Sequence, residues 1–269
     1  MAGPARTITG ITEGRGKLML VLAHISDLHL DRTARSRARA ERVRDRLWEL
    51  PGHVDALLVT GDIADHGTEA EYEEAAHIFG LRTGDAPFPV LTCPGGHDSR
   101  GPYRKALLGL PASEEAVNSA HVFDDGAVLM CDSSVPGSVQ GALDDETYDW
   151  IEGTLDELDD TVPALLAFHH PPVAPHHPLP DAFQPTHAGR LAALMERRPR
   201  IAGIVTGHAH TPAATTFAGR PLLVGPAVTG TLRLPWEGEG ITERDAPVGL
   251  AFHVLADTGR LTSHFRVVV

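Results

Sequence analysis

The sequence predicts an α/β fold in which helices pack on a largely parallel sheet. Three observations predict it. Apolar runs of strand length alternate with segments of helical period from Leu18 to Thr206. From Thr215 onward the helical period stops and hairpin-type strands take over, which points to a second sheet stacked on the first. The 269 residues are 42% hydrophobic and 22% charged. That is ordinary globular composition, enough for one α/β domain of roughly 200–250 residues with a sizeable core, and unlike a fibrous or disordered chain.

The elements follow in order. Residues 1–17 are Gly- and Thr-rich without period and are expected to be a flexible tail ahead of a single domain over 18–269. Leu18–Ile25 is the first apolar run. Ala34–Leu50 carries Val43, Leu47, Trp48 and Leu50 at helical spacing and ends at Pro51-Gly52. Asp55–Thr60 reads as a buried strand. Thr68–Gly80 reads as a helix that opens on a capping box, Thr68 with Glu71 three residues on. Phe88–Thr92 is a strand, Gly101–Leu108 a short helix, and Val122–Cys131 a hairpin turning at Asp124-Asp125-Gly126. Leu143–Leu158 is helical, Ala164–Phe168 a strand, His187–Glu196 a helix and Ile201–Thr206 a strand. Leu222–Val224, Leu250–Val254 and Leu261–Val269 close the chain as strands, the last two around Asp257-Thr258-Gly259. Pro171–Pro185 and Pro235–Pro247 are irregular and long enough to be functional loops.

Charge and cysteine count narrow the function. With 23 basic and 36 acidic residues the formal charge is −13, so nucleic acid is not an expected partner. An anionic substrate needs a local positive centre to approach such a chain. The apolar stretch Leu18–Ala23 is too short to span a membrane and poorly placed for a signal peptide. Cys93 and Cys131 cannot build a disulfide framework, and a cytoplasmic location is expected. The basic stretch Arg32–Arg46 is expected as a solvated helix face, with contact to a second, acidic subunit as the alternative.

Chemistry-bearing residues collect just past the apolar runs. The first run ends in Ser26-Asp27-Leu28-His29, where the two-residue spacing places a carboxylate and an imidazole on one side of extended chain. The second ends in Thr60-Gly61-Asp62, the third in Cys93-Pro94-Gly95-Gly96-His97-Asp98. Ala164–Phe168 runs into His169-His170-Pro171-Pro172, and Ile201–Thr206 into Gly207-His208-Ala209-His210. In open α/β sheets ligands gather at the carboxyl ends of strands. Asp27, His29, Asp62, His169, His208 and His210 make a six-group set. One catalytic zinc uses about three protein ligands, so six suit two metals with one carboxylate shared. Nitrogen with carboxylate oxygen suits Mn, Fe, Co or Zn.

In this order, Asp-x-His, Gly-Asp, Gly-x-His-Asp, His and Gly-His-x-His resemble the calcineurin-like metallophosphoesterases, over about Leu20 to the C-terminus. The stretches His24–Leu30, Thr60–Asp65 and His169–Pro172 look closest to the bacterial class III cyclic nucleotide phosphodiesterases. The resemblance implies a four-layer α-β-β-α sandwich of two stacked mixed sheets flanked by helices. It also implies a dinuclear centre. Asp27, His29 and His210 would hold the first metal, His169 and His208 the second, and Asp62 would bridge. His170 is the rival of His169, and the family pattern gives the ligand to the first of the pair. A water made hydroxide-like between two ions would attack the phosphoester. His97 would stand near the leaving oxygen as acid or charge stabiliser, oriented by Asp98. Gly96, His97 and His170 are the positions expected to meet substrate. The implied activity is hydrolysis of a small phosphate ester, a cyclic nucleotide first. Alternatives are a phosphatase or another diesterase, such as one for glycerophosphodiesters, and a possible homodimer accompanies the family.

The chain departs from the pattern at Gly96, where the family has Asn. That Asn gives its oxygen to the second metal and touches the phosphate. Either something else fills the vacancy, or the protein is a catalytically impaired metal- or nucleotide-binding variant. Gly96→Asn is expected to gain much in the second case and little in the first.

Overall fold

In the computed structural model, which describes residues 8–11, 19–181 and 188–268, strand β1 (Ile8–Ile11) precedes β2 (Met19–Ile25), helix α1 (Ala34–Trp48), β3 (Ala56–Thr60), α2 (Glu69–Phe79), β4 (Val90–Cys93) and α3 (Arg100–Ala106). The middle of the chain forms β5 (Ser119–Phe123), β6 (Gly126–Met130), α4 (Asp145–Glu157), β7 (Ala164–Ala167), a single turn α5 (Pro178–Asp181), α6 (Ala188–Arg197) and β8 (Ile201–Thr206). Then come β9 (Ala213–Phe217), β10 (Arg220–Val224), the two-residue strands β11 (Thr231–Leu232) and β12 (Thr242–Glu243), β13 (Val248–Ala256) and β14 (Leu261–Val268).

Two mixed sheets lie face to face. One runs β14-β13-β2-β3-β4, the other β1-β5-β6-β7-β8-β10-β9. The strand period sorts side chains between layers. Along β2, Leu20 and Leu22 point into the core between the sheets, with Leu58 of β3 and Leu165 and Val205 of the other sheet. Ala23 and Ile25 point the other way, into a core shared with Val43 and Leu47 of α1 and Tyr72 and Phe79 of α2. The second sheet does the same. Ala164 and Leu166 face Ile151 and Leu155 of α4 and Leu191 and Leu194 of α6. Three apolar layers thus separate four layers of secondary structure, the expected sandwich. Helix ends are fixed locally: Thr33 accepts the Ser36 N–H at 3.2 Å to start α1, and the Glu71 carboxylate accepts the Thr68 N–H at 3.0 Å at the start of α2. Gly80 ends α2 in the left-handed region.

Three expectations change. The parallel run is split: β2, β3 and β4 are parallel in one sheet, and β6, β7, β8 and β10 are parallel in the other. Each sheet is apolar on both faces, so the face away from the helices needs a second sheet to cover it. The C-terminal hairpin does not found that second sheet. It joins the first, where β13 pairs antiparallel with the free edge of β2. Finally, residues 8–11 of the expected tail form β1, which pairs parallel with β5. Three of these four residues are β-branched, and β5 offers an open edge. The other residues of 1–17 lie outside the described residues.

Candidate metal centre

Each site residue sits in a loop that leaves the carboxyl end of a parallel strand: Asp27 and His29 after β2, Asp62 after β3, Gly96 and His97 after β4, His169 after β7, His208 and His210 after β8. Because the sheets are stacked, these ends meet. The ladder continues past the strands and holds the loops together. The Asp27 N–H donates to the Gly61 carbonyl at 3.1 Å, His29 N–H to that of Asp62 at 2.9 Å, and Gly207 N–H to that of His169 at 3.0 Å. Asp27, His29, Asp62, His208 and His210 all lie at positive φ, between 43 and 69°. A non-glycine residue there costs about 1–3 kcal/mol and persists where the surroundings over-determine it. Extended backbone at Asp27 and His29 was the expectation. The observed left-handed turns instead direct consecutive loop residues at one point.

The ligand atoms form two groups that meet at Asp62. The first comprises Asp27, His29, Asp62 and His210, with ligand atoms within 4.8 Å of one another. His210 Nε2 lies 3.3 Å from Asp27 Oδ1 and 3.2 Å from His29 Nε2. The second comprises His169, His170 and His208, again within 4.8 Å. Asp62 Oδ2 stands between them, 3.5 Å from His29 Nε2 and 3.2 Å from His169 Nε2. Asp62 Oδ1 accepts the His97 backbone N–H at 2.9 Å, which fixes the carboxylate plane.

Ring orientation is set from behind. His169 Nδ1 donates to the Thr60 carbonyl at 2.8 Å, which puts its lone pair on Nε2. His29 Nδ1 meets Asp65 Oδ1 at 2.8 Å, a carboxylate–imidazole pair of the kind that orients metal ligands. Sequence reasoning assigned Asp65 no role, although it sits three residues past Asp62 in the motif. Gly61, at φ 80°, is needed here: a Cβ would fall 2.5 Å from His169 Nδ1.

The electrostatics are those of a site built for cations. Burial pushes the Asp27 carboxyl up, but His210 and His169 override it and hold it well below the usual range. Burial is likewise overridden at Asp62 by His169, His29 and His97. Burial and the neighbouring His169 push His208 down to about 4, and burial with His169 and His208 keeps His170 neutral. The Nε2 atoms of His169, His170 and His208 are all buried without a hydrogen-bond partner. Buried imidazole nitrogens are rarely left unpaired. These orphaned donors, beside two ionised carboxylates, fit transition-metal ions.

Two expected roles change. Asp98 does not touch His97. Its carboxylate accepts N–H bonds from Gly95 at 2.8 Å, Ala64 at 3.0 Å and Ile63 at 3.2 Å, and the Tyr72 hydroxyl donates to it at 3.0 Å. Three backbone donors pull it into the turn, so it braces the β3 and β4 loops. Asp65 takes the orienting position instead: its carbonyl accepts from His97 Nδ1 at 2.9 Å. His170, expected against substrate, is fully buried and does not line the cavity.

That cavity, about 700 Å³, opens over the first group. His29, Asp62, Gly96, His97, His208 and His210 form its floor, and the two irregular loops supply walls through Leu179, Pro180, Thr242 and Arg244. Arg35 of the basic helix reaches in as well, bonded to the carbonyls of Thr229 at 3.3 Å and of Arg244. The basic face of α1 is therefore partly tied down rather than solvated. Arg39 likewise donates to the Val228 and Ala246 carbonyls, at 2.6 and 2.8 Å.

Residues 20–212 match the sequence profile of the calcineurin-like phosphoesterases. The chain belongs to that family. Among relatives of this phosphoesterase, a probable cyclic nucleotide phosphodiesterase of Rhodococcus erythropolis is 32% identical, over 88% of this chain and 80% of its own. A glycerophosphodiester phosphodiesterase of Enterobacter lignolyticus is 31% identical over 77% of each chain. A cAMP/cGMP dual specificity phosphodiesterase of Mycobacterium tuberculosis is 29% identical over 88% of this chain and 77% of its own. The fold of the phosphoesterase matches that of a purple acid phosphatase from yellow lupin, with a TM-score of 0.62 at 13% identity, over 93% of this chain and 51% of the other.

Proposed function

We propose that this protein is a metal-dependent phosphodiesterase that opens cyclic nucleotides. The observation that carries the proposal is Asp62 Oδ2, shared between two groups of ligand atoms. Asp27, His29 and His210 would hold one ion, His169 and His208 the other, and Asp62 both. When bound, such ions supply an activated water and neutralise the phosphate. Nitrogen and carboxylate donors favour Mn, Fe or Zn.

The chain's own residues do the rest. The carbonyl of Asp65 can only accept, so His97 carries a proton on Nδ1 and meets substrate through Nε2. His97 is half exposed at the cavity floor; in its doubly protonated form it can pass the Nε2 proton to the departing ester oxygen as water adds to phosphorus, and the proton released by that water restores the ring. Arg35 and Arg244 offset the −13 charge locally for an anion. Leu179, Pro180 and Leu232 give an apolar wall on which a nucleobase can lie, and the volume suits a ligand of that size. Both sheets supply ligands, so residues 18–269 act as one unit together with strand β1. Two buried free thiols support a cytoplasmic location. A homodimer is part of the same reading, with the exposed Trp236 and Ile241 as apolar contacts.

The glycerophosphodiester relative favours a second substrate, a glycerol diester on the same centre. Mn-reconstituted protein should be assayed on cAMP, glycerophosphodiesters and a nitrophenyl monoester. Turnover fastest on cAMP is expected. Glycerol-diester preference would favour the second reading, and monoester preference would overturn both.

A further inference from the structure

The family pattern leaves the second metal one ligand short, because Gly96 has no side chain. The structure places another group at that spot. An ideal Cβ on Gly96 would lie 3.3 Å from His170 Nε2 and 3.1 Å from the Val139 carbonyl oxygen. The space that an Asn side chain would enter is therefore already held by an imidazole nitrogen. That nitrogen is fully buried and without a hydrogen bond. It shares a cluster with the orphaned Nε2 atoms of His169 and His208. Adjacent histidines are expected to diverge, yet the rings of His169 and His170 stand edge-on, 4.7 Å apart and at 89°, and both lie about 5 Å from the His208 ring, at 5.1 and 4.9 Å.

We propose that His170 is a protein ligand of the second metal, its Nε2 taking the place that the Asn side chain of the family pattern would fill. The inference rests on the two-metal reading above. Nitrogens bound to one ion at about 2.1 Å stand roughly 3–4 Å apart, so the cluster needs only a small inward adjustment. Ligation through Nε2 requires the His170 Nδ1 proton to point at Ser133 Oγ, 2.8 Å away, an oxygen that also receives the His169 and His170 N–H groups at 3.2 and 3.3 Å. The second ion would then be held by Asp62 and three imidazoles, a softer set than one containing an amide oxygen, which favours Zn, Fe or Co over Mn. The competing role for His170 is structural. With its proton on Nε2 and the Ser133 hydroxyl donating to Nδ1, the ring would donate to the neighbouring Val139 carbonyl instead.

Metal titration of chelator-stripped protein tests this, with Co(II) absorption following coordination at each equivalent. Wild type should take two ions. His170→Ala should bind the first ion normally and the second about 10–100-fold more weakly, with a changed spectrum at the second equivalent. Gly96→Asn alone should gain nothing, since the Asn must displace His170. Gly96→Asn/His170→Ala should recover much of the lost affinity, because removal of the ring makes room for the amide. His170→Gln, which keeps most of the bulk, repeats the comparison if the Ala variant unfolds. In Zn-titrated wild type the His170 Nε2 resonance should shift at the second equivalent. Two ions bound equally well by wild type and both His170 variants, with that resonance unmoved, would make His170 a packing residue. One ion per wild-type chain would overturn the two-metal reading itself.

Discussion

Asp62 is the residue on which both halves of the site depend. Its Oδ2 lies 3.5 Å from His29 Nε2 and 3.2 Å from His169 Nε2, whereas Asp27 Oδ1 lies 3.3 Å from His210 but 3.9 Å from His169. Asp62→Ala should therefore lose both ions in a stoichiometric metal assay, and retention of either at wild-type affinity would remove it from the shared position. His97 is different. Its backbone braces Asp62, but its ring lies at the cavity floor. His97→Ala should keep two ions and lose about 10²–10⁴-fold in turnover on a cyclic nucleotide, the usual worth of a positioned acid. The loss should shrink on a nitrophenyl diester, whose leaving group needs no proton. Equal losses on both would argue against proton transfer.

The loops after the strands are the elements that make the site. Their turns are tight enough to force five ligands to positive φ, and that geometry is stabilised by the sheets beneath. Gly61 is the point where the β3 turn and the His169 ring approach most closely. Gly61→Ala adds a Cβ at φ 80° against that ring. It should lower stability by about 1–3 kcal/mol in urea unfolding and weaken the second ion, while the first is held. Unchanged second-ion affinity would show that the His169 ring can shift without leaving its ligand position.

The whole molecule carries a second histidine system, behind the metal centre. His24 on β2 and His253 on β13 meet at 2.9 Å between Nδ1 and Nε2. His24 continues to Thr60 Oγ1 at 2.8 Å, and His253 to Ser263 Oγ at 2.7 Å. A hydrogen bond between two imidazoles needs a lone pair on one of them, so both rings cannot be charged at once. Burial pushes His253 down to about 4, and burial with His253 holds His24 well below its ordinary value. The unfolded chain keeps ordinary values near 6.5. Between about pH 6.5 and 4 the unfolded state thus binds more protons, so stability rises with pH there and is lost as pH falls. Chelator-treated protein should lose on the order of 1–3 kcal/mol through this pair from pH 7 to pH 4.5. His253→Gln should lower stability at pH 7 yet flatten the acid slope. An unchanged slope would place the sensitivity elsewhere.

Much of this was legible in one sequence because strands and metal ligands leave local signatures. Apolar runs bounded by Gly, Pro and polar residues placed β2, β3, β4, β7 and β8 within a residue or two, and the Thr68–Glu71 box placed the start of α2. Asp27, His29, Asp62, His169, His208 and His210 declared themselves by repetition at strand ends, and the folded chain brings them together. Short polar-flanked strands such as β9 and the β11–β12 pair lack an apolar run and were not read. Pairing across the sheets could not be read locally. Nothing in the β13 sequence says that it will seek the edge of β2, because an edge is created only when other strands have assembled. The same holds for contacts that cross loops. Asp98 turned into three backbone donors, Asp65 took its place behind His29 and His97, and the bare position at Gly96 came to face the nitrogen of His170. Residue types set which chemistry was available at each strand end. Stacking the two sheets decided which of those groups share a point in space, since that depends on distances between segments far apart in the chain.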